Sequence, residues 1–212
     1  MIVVVDYGMG NLGSIANMLK RVGAPGVVSG DPEVIGDAAK LILPGVGAFD
    51  HGMERLAGSG LIPLLTRKVK EEHTPVLGLC LGMQLFARRS EEGTAKGLGW
   101  LRADVVRFSS GPSREKLRVP HMGWNTARPA RPHPVLDGSG EDARFYFAHS
   151  FHVVCDDPSL QIACTEYGYE FPSVIGSENI IGVQFHPEKS HRFGMRLFEA
   201  FAAWLPGADS NA

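Results

Sequence analysis

In the first half of the chain, apolar residues come in short runs that end abruptly at polar or turn residues. Residues 2–6, 41–43 and 76–79 read as buried strands. Between and after them, apolar positions recur at helical spacing over residues 12–22, 61–72 and 81–88. Strands and helices alternating in this way predict a parallel, doubly wound sheet. From residue 104 to 184 the texture shifts to short alternating strands with turn residues between them, as in Arg144-Phe145-Tyr146-Phe147-Ala148, which predicts antiparallel additions to that sheet. An amphipathic helix closes the pattern over residues 190–205, with Phe193, Leu197, Phe201 and Trp204 on one core-facing stripe and Ser190 placed to cap its start. The predicted class is therefore α/β, a mostly parallel doubly wound central sheet with antiparallel additions. One domain is expected over residues 1–205, with a flexible tail at 206–212.

Composition narrows the function classes. With 212 residues, 44% hydrophobic and 21% charged, the chain can bury a sizeable core. A net charge of −2 exerts no global pull toward nucleic acid or a membrane surface. The initial apolar run meets Asp6 at once, too soon for a leader or a membrane span. Cys80, Cys155 and Cys164 lack disulfide-framework or metal-ligand spacing, which predicts a reducing, cytoplasmic setting. His149 and His152 have a metal-like spacing, but on one strand they would face opposite sides, so neither a metal nor a cofactor is expected. Between residues 102 and 131 seven basic residues meet only Asp104 and Glu115. Without interleaved aromatics this stretch reads as a solvated or partner-facing surface rather than a nucleic-acid groove.

The chemistry concentrates at Gly78-Leu79-Cys80-Leu81-Gly82, which follows the apolar run 75–77 directly. This is a nucleophile elbow with cysteine in place of serine: a strand turns sharply into a helix and lifts the nucleophile clear, while the glycines remove crowding side chains. The N–H groups at the start of that helix favour a thiolate and a developing oxyanion. Attack on an amide also needs a proton donor for the leaving amine, and His186-Pro187-Glu188 offers an imidazole with a carboxylate to orient it. In extended backbone residues two apart point the same way, and Pro187 favours that geometry. Taken singly, such a cysteine is a buried small hydrophobe and such a His-Pro-Glu a surface turn. Together they read as a catalytic Cys80, His186 and Glu188 set.

Two glycine-rich turns remain. Pro44-Gly45-Val46-Gly47 follows a parallel strand at the same sheet edge, and a backbone N–H of Val46 or Gly47 with that of Leu81 would make an oxyanion hole. Gly8-Met9-Gly10-Asn11-Leu12-Gly13 formally matches a dinucleotide fingerprint, with Asp31 further on. The strand ends before the first glycine and Asp31-Pro32 reads as a turn rather than a strand end, so a surface turn that docks a partner fits as well.

With these residues in view the chain resembles the class I glutamine amidotransferases, and within them the glutaminase subunits of imidazole glycerol phosphate synthase. The likeness spans residues 1–205 and rests on Asp6-Tyr7-Gly8-Met9-Gly10-Asn11-Leu12, the elbow through Gln84, Pro120-His121-Met122-Gly123-Trp124-Asn125, and His186 through Ser190. The resemblance implies that Cys80 attacks the glutamine side-chain amide, that His186 passes a proton to the ammonia and that Glu188 orients His186. It implies that Gly47, Gln84, Glu92, Ser150 and Phe151 hold glutamine. It also implies a heterodimer with a (βα)8-barrel synthase that receives the ammonia, with Asn11, Trp124, Tyr146 and Lys189 at or beside the interface. The alternatives are a glutaminase of another amidotransferase, a standalone cysteine hydrolase, and a non-catalytic regulatory domain.

Overall fold

A computed structural model describes residues 1–24, 26–109, 117–137, 140 and 143–207. The first half runs β1 (Ile2–Val5), α1 (Leu12–Arg21), β2 (Gly26–Ser29), α2 (Pro32–Gly36), β3 (Lys40–Leu43), α3 (Phe49–Gly58), α4 (Ile62–Thr66), β4 (Val76–Leu79) and α5 (Leu81–Leu85). The second half runs β5 (Ala103–Arg107), β6 (His121–Thr126), β7 (Arg128–Pro129), β8 (Arg144–His149), β9 (Phe151–Cys155), β10 (Gln161–Tyr167), β11 (Tyr169–Ser177), β12 (Ile180–Val183) and α6 (His191–Ala203).

One eight-stranded sheet has the order β2-β1-β3-β4-β12-β11-β10-β7. From β2 to β12 neighbouring strands are parallel, and from β12 to β7 they are antiparallel. Every residue of β1, β3, β4 and β12 is buried, as continuous apolar runs require when helices cover both faces. The period-two alternation of side chains splits the core: Val3, Val5, Leu41 and Leu43 pack with α2 to α5, whereas Ile2, Val4, Ile42 and Leu77 pack with α1 and α6.

Several expectations shift. The antiparallel segments do not all join the main sheet, because the chain bends at Ser150 and sends β8 to pair with β6 and β9 to pair with β5 as two separate ribbons. The helix expected over 61–72 begins as α4 and widens to a π-helical turn over Arg67–Glu71. The helix expected over 81–88 stops at Leu85: the Phe86 and Ala87 N–H groups bond back only three residues, and the Arg88 N–H then goes to the Ala103 carbonyl. Strand β2 and helices α2 and α3 were not expected at all. Asp31 is the N-cap of α2, its carboxylate accepting the Glu33 N–H at 2.8 Å.

Helix α6 begins after a 3₁₀ turn over Pro187–Lys189 and ends at Ala203, where Trp204 turns extended ahead of Pro206. Its last carbonyls do not face water. Lys40, buried on β3, donates its ammonium to the carbonyls of Phe201, Ala202 and Trp204. Phe193 is half-buried, while Leu197, Phe201 and Trp204 are core, as their spacing implied. Of the expected tail, residues 208–212 lie outside the described residues, as do Arg114, Glu115 and Lys116 of the basic stretch. No helix among the described residues is long and apolar enough to cross a membrane.

Candidate active site

Cys80 stands where β4 gives way to α5, with φ of 52° and ψ of −106°. A non-glycine residue in that region is strained and persists only when its surroundings hold it. Here the Cys80 N–H donates to the Val183 carbonyl at 2.8 Å and the Cys80 carbonyl accepts from the Gln84 N–H at 3.2 Å. Gly82 makes the bend sterically feasible, since a Cβ there would sit 1.9 Å from the Leu43 carbonyl oxygen. The elbow is thus pressed against the end of β3. From that end the loop 44–47 continues: the Tyr7 hydroxyl donates to the Pro44 carbonyl at 2.6 Å, Gly47 takes a φ of +101°, and Val46 is exposed.

Sheet order brings the histidine in. Strand β12 lies parallel to β4 with Val183 opposite Leu79, so the residues that follow Val183 run beside Cys80. The His186 N–H donates to the Tyr146 carbonyl at 2.8 Å, and the Ser190 hydroxyl donates to the His186 carbonyl at 2.6 Å. Ser190 occupies the N-cap position of α6 but makes no side-chain cap, because its oxygen also accepts the Tyr146 N–H at 3.0 Å. His186 Nδ1 is 2.9 Å from Glu188 Oε1, and both side chains are buried. The linking backbone is a 3₁₀ turn rather than the extended segment expected from Pro187, and the carboxylate still reaches the ring.

His186 has the most informative electrostatics. Burial opposes its positive charge, but hydrogen bonds to Cys80 and Glu188, with the negative charge on each, outweigh burial and push the imidazole up to about 10. The ring is therefore held as an imidazolium, with Glu188 on its Nδ1 side. Glu188 Oε2 is buried and has no hydrogen-bond partner among the described residues.

A cleft of about 310 Å³ opens over this set and is lined by Gly47, Leu81, Gln84, Glu92, Ser150 and Phe151. All five residues expected to hold substrate thus border one cavity with Cys80 and His186. Gln84 is buried, and its Nε2 donates to the Phe151 carbonyl at 3.1 Å and to Gln184 Oε1 at 3.0 Å. Glu92 is tied down as well: its Oε2 accepts the Phe49 N–H at the start of α3 at 2.8 Å. Residues that sequence reasoning passed over also belong here. Gln184 Nε2 lies 3.7 Å from Cys80 Sγ, and His149 lines the cleft. Gln184 had a signal, as the polar residue two before His186 in an otherwise apolar run.

Beside the cleft, Trp124 stacks on His191 with centroids 5.5 Å apart and meets Tyr146 edge-on at 6.2 Å, while Lys189 Nζ lies 5.8 Å above the Tyr146 ring. Trp124 is 41% exposed and Met122 65%, which forms an apolar patch at the rim. Asn11 sits exposed at the start of α1. His149 and His152 do not face opposite sides, because Ser150 separates them onto β8 and β9 and both rings pack on Phe108 and Phe171. In the first glycine cluster, the Arg55 guanidinium lies against Gly8, where a Cβ would sit 2.0 Å from it, and Gly10 abuts Pro44. The strand missing from the sequence reading exists as β2, and the Gly8 turn borders an open cleft with His51, Glu54 and Arg55.

The family profile described as "Glutamine amidotransferase class-I" matches residues 3–203. The imidazole glycerol phosphate synthase subunit HisH 2 of Methanococcus maripaludis is 50% identical over 201 residues, covering 95% of this chain and 98% of that one. The protein of the same name from Pseudomonas aeruginosa is 52% identical over 201 residues, again covering 95% and 98%. In fold alone, the crystal structure of a glutamine amidotransferase from Thermotoga maritima matches with a TM-score of 0.63 at 17% identity, over 94% of this chain and 81% of that one.

Proposed function

This chain belongs to the class I glutamine amidotransferase family, and on that footing we propose that it is the glutaminase subunit of an imidazole glycerol phosphate synthase, acting in histidine biosynthesis. The observation that carries the chemistry is that Cys80 and His186 line one cleft with Gln84 and Glu92, with the His186 ring 2.9 Å from the Glu188 carboxylate.

In this reading the Cys80 thiolate attacks the side-chain amide carbon of glutamine. The oxyanion that forms is held by the N–H of Leu81, which as the first residue of α5 has no intrahelical acceptor, and by an N–H of Val46 or Gly47. His186, already protonated and fixed by Glu188, gives its proton to the leaving nitrogen, so ammonia departs and a glutamyl thioester remains. Neutral His186 then takes a proton from water as the water attacks the thioester, glutamate is released and Cys80 leaves as thiolate. Glu92 would face the substrate's ammonium group and Gln84 would hold its other polar end, a reading supported by both bordering the cleft.

Ammonia released into water would be protonated and lost, so the product must leave toward a partner. The exposed Met122 and Trp124 with Tyr146 and Lys189 form the surface where a (βα)8-barrel cyclase would sit, and Asn11 would extend it. That partner would complete the 44–47 loop as an oxyanion hole, leaving the isolated chain nearly inactive in the cytoplasm. The test is glutamate release from glutamine with and without the barrel partner and its nucleotide ligand. Activity only with the partner supports the reading, partner-independent turnover points to a standalone cysteine hydrolase, and silence in both arms removes the enzymatic assignment.

A further inference from the structure

Behind the cleft lies a line of polar groups that the proposed chemistry does not use. Asn125, on the exposed β6 ribbon, accepts the Thr126 N–H on Oδ1 at 2.8 Å and donates from Nδ2 to the Glu166 carbonyl at 2.9 Å. A backbone N–H can only donate and a carbonyl only accept, so the amide orientation is settled at both atoms. The same Nδ2 lies 3.2 Å from His121 Nε2, His121 Nδ1 lies 3.0 Å from His149 Nε2, and His149 Nδ1 lies 2.7 Å from the Phe151 carbonyl.

Groups of known polarity stand at both ends, so the protons between them have one arrangement. The Phe151 carbonyl requires a proton on His149 Nδ1, which leaves His149 Nε2 as an acceptor. His121 must then carry its proton on Nδ1, and its bare Nε2 accepts from Asn125. A further proton would set His121 Nε2–H against the Asn125 N–H, with no acceptor for either. The rings also sit among aromatics: His121 stacks on Tyr167 at 4.0 Å and on Phe147 at 4.7 Å. Burial accordingly holds His149 down to about 3 and His121 down to about 4. The titratable groups facing His149 besides His121 are His152 and the His186 imidazolium, and both oppose a positive charge there.

The line continues past Phe151 with equally settled polarity. The Phe151 carbonyl also accepts from Gln84 Nε2, the same nitrogen donates to Gln184 Oε1, and Gln184 therefore presents its amide N–H to Cys80 Sγ.

We propose that His121 and His149 are positioning residues for the glutaminase reaction: two hydrogen-bond runs converge on the Phe151 carbonyl, one donated from Asn125 on the rim ribbon through His121 and His149, the other from Gln84, so that the histidines fix the carbonyl that holds Gln84 and thereby the Gln184 N–H aimed at the nucleophilic sulfur. The first run links a strand beside the exposed patch to the substrate-binding backbone without any residue of the catalytic set. It rests on the glutaminase reading for its purpose, but its proton arrangement is independent of turnover.

The test begins with ring ¹⁵N NMR on the full chain, alone and with the barrel partner. Both His121 and His149 should show the Nδ1–H tautomer, with Nε2 unprotonated, and neither should titrate between about pH 5 and 8, where an ordinary imidazole does. An Nε2–H tautomer at either ring, or titration near the ordinary value, overturns the proposal whether or not the chain hydrolyses glutamine. His121→Phe keeps the ring stack but removes the donor, and it should raise KM for glutamine about tenfold, equivalent to about 1.4 kcal/mol, with a smaller change in kcat. His121→Asn returns a donor near the Nδ1 position and should recover most of that loss. A folded His121→Phe with unchanged KM, or equal losses in both variants, refutes the positioning role.

Discussion

Replacing Glu188 by glutamine keeps the shape of the pair with His186 and removes one of the two negative charges that hold the imidazolium. Raising an imidazole from its ordinary 6.5 to about 10 corresponds to about 5 kcal/mol in favour of the charged form, at about 1.4 kcal/mol per tenfold change in proton affinity. Losing the carboxylate charge removes part of that effect, on the order of 2 kcal/mol. A glutamine oxygen turned to His186 Nδ1 puts its NH₂ where Glu188 Oε2 is buried with no partner among the described residues. That adds about 1 kcal/mol or more for an unsatisfied donor.

The pH dependence follows from the sign of the shift. Because folding raises the His186 affinity for its proton, the stabilisation is fully present below about 6.5 and drains away as pH climbs through about 10. Urea unfolding of wild type and Glu188→Gln should therefore differ by roughly 3 kcal/mol near pH 6, and the gap should shrink as pH approaches the upper limit. Partner-activated glutamate release should fall by roughly 10³- to 10⁴-fold in kcat, as when an orienting carboxylate becomes an amide in other triads. A gap that is the same across the whole range, or that widens with pH, would refute the argument that an imidazolium is what Glu188 stabilises.

Other expectations follow from particular contacts. Gly82→Ala forces a methyl group onto the Leu43 carbonyl oxygen and should cost about 3 kcal/mol or more in urea unfolding. Lys40→Met leaves three carbonyls at the end of α6 without their donor and should cost about 2 kcal/mol, read as a lowered Tm. Trp124→Ala removes an exposed ring whose main contacts are His191 and Tyr146. It should change stability by less than about 1 kcal/mol, while titration calorimetry with the barrel partner should show binding weakened tenfold or more, on the order of 1–2 kcal/mol.

What was legible from residues alone was what obeys local rules. The runs that became β1, β3 and β4 are apolar throughout because both faces are covered, and the elbow and His-Pro-Glu announce themselves through residue types that a bend and an imidazole need. Helix α3 escaped notice because glycines at 45, 47 and 52 look like loop, whereas Gly52 is there to let Leu81 of the elbow helix pack closely. Strand β2 escaped because the edge position leaves it exposed to half-buried, so it lacks the apolar density of its neighbours. The placement of His149 failed for a different reason: a single bend at Ser150 sent consecutive segments to different partners, and no period-two count reveals where a strand changes partner. Gln184 stood out only as a polar residue in an apolar run, and the histidine line depends on contacts between segments far apart in the chain, which residue spacing does not encode.

The position of β12 has a consequence for how the molecule comes into being. Among the described residues it is the last strand to be synthesised, yet it inserts next to β4 in the middle of the sheet and carries the acid–base partner with it. A ribosome-bound chain that has emerged only as far as the first elbow owns a sulfur with no imidazole to arm it. Glutamine therefore stays safe from half-made copies, since the nucleophile gains its acid–base partner only once the polypeptide has closed upon itself.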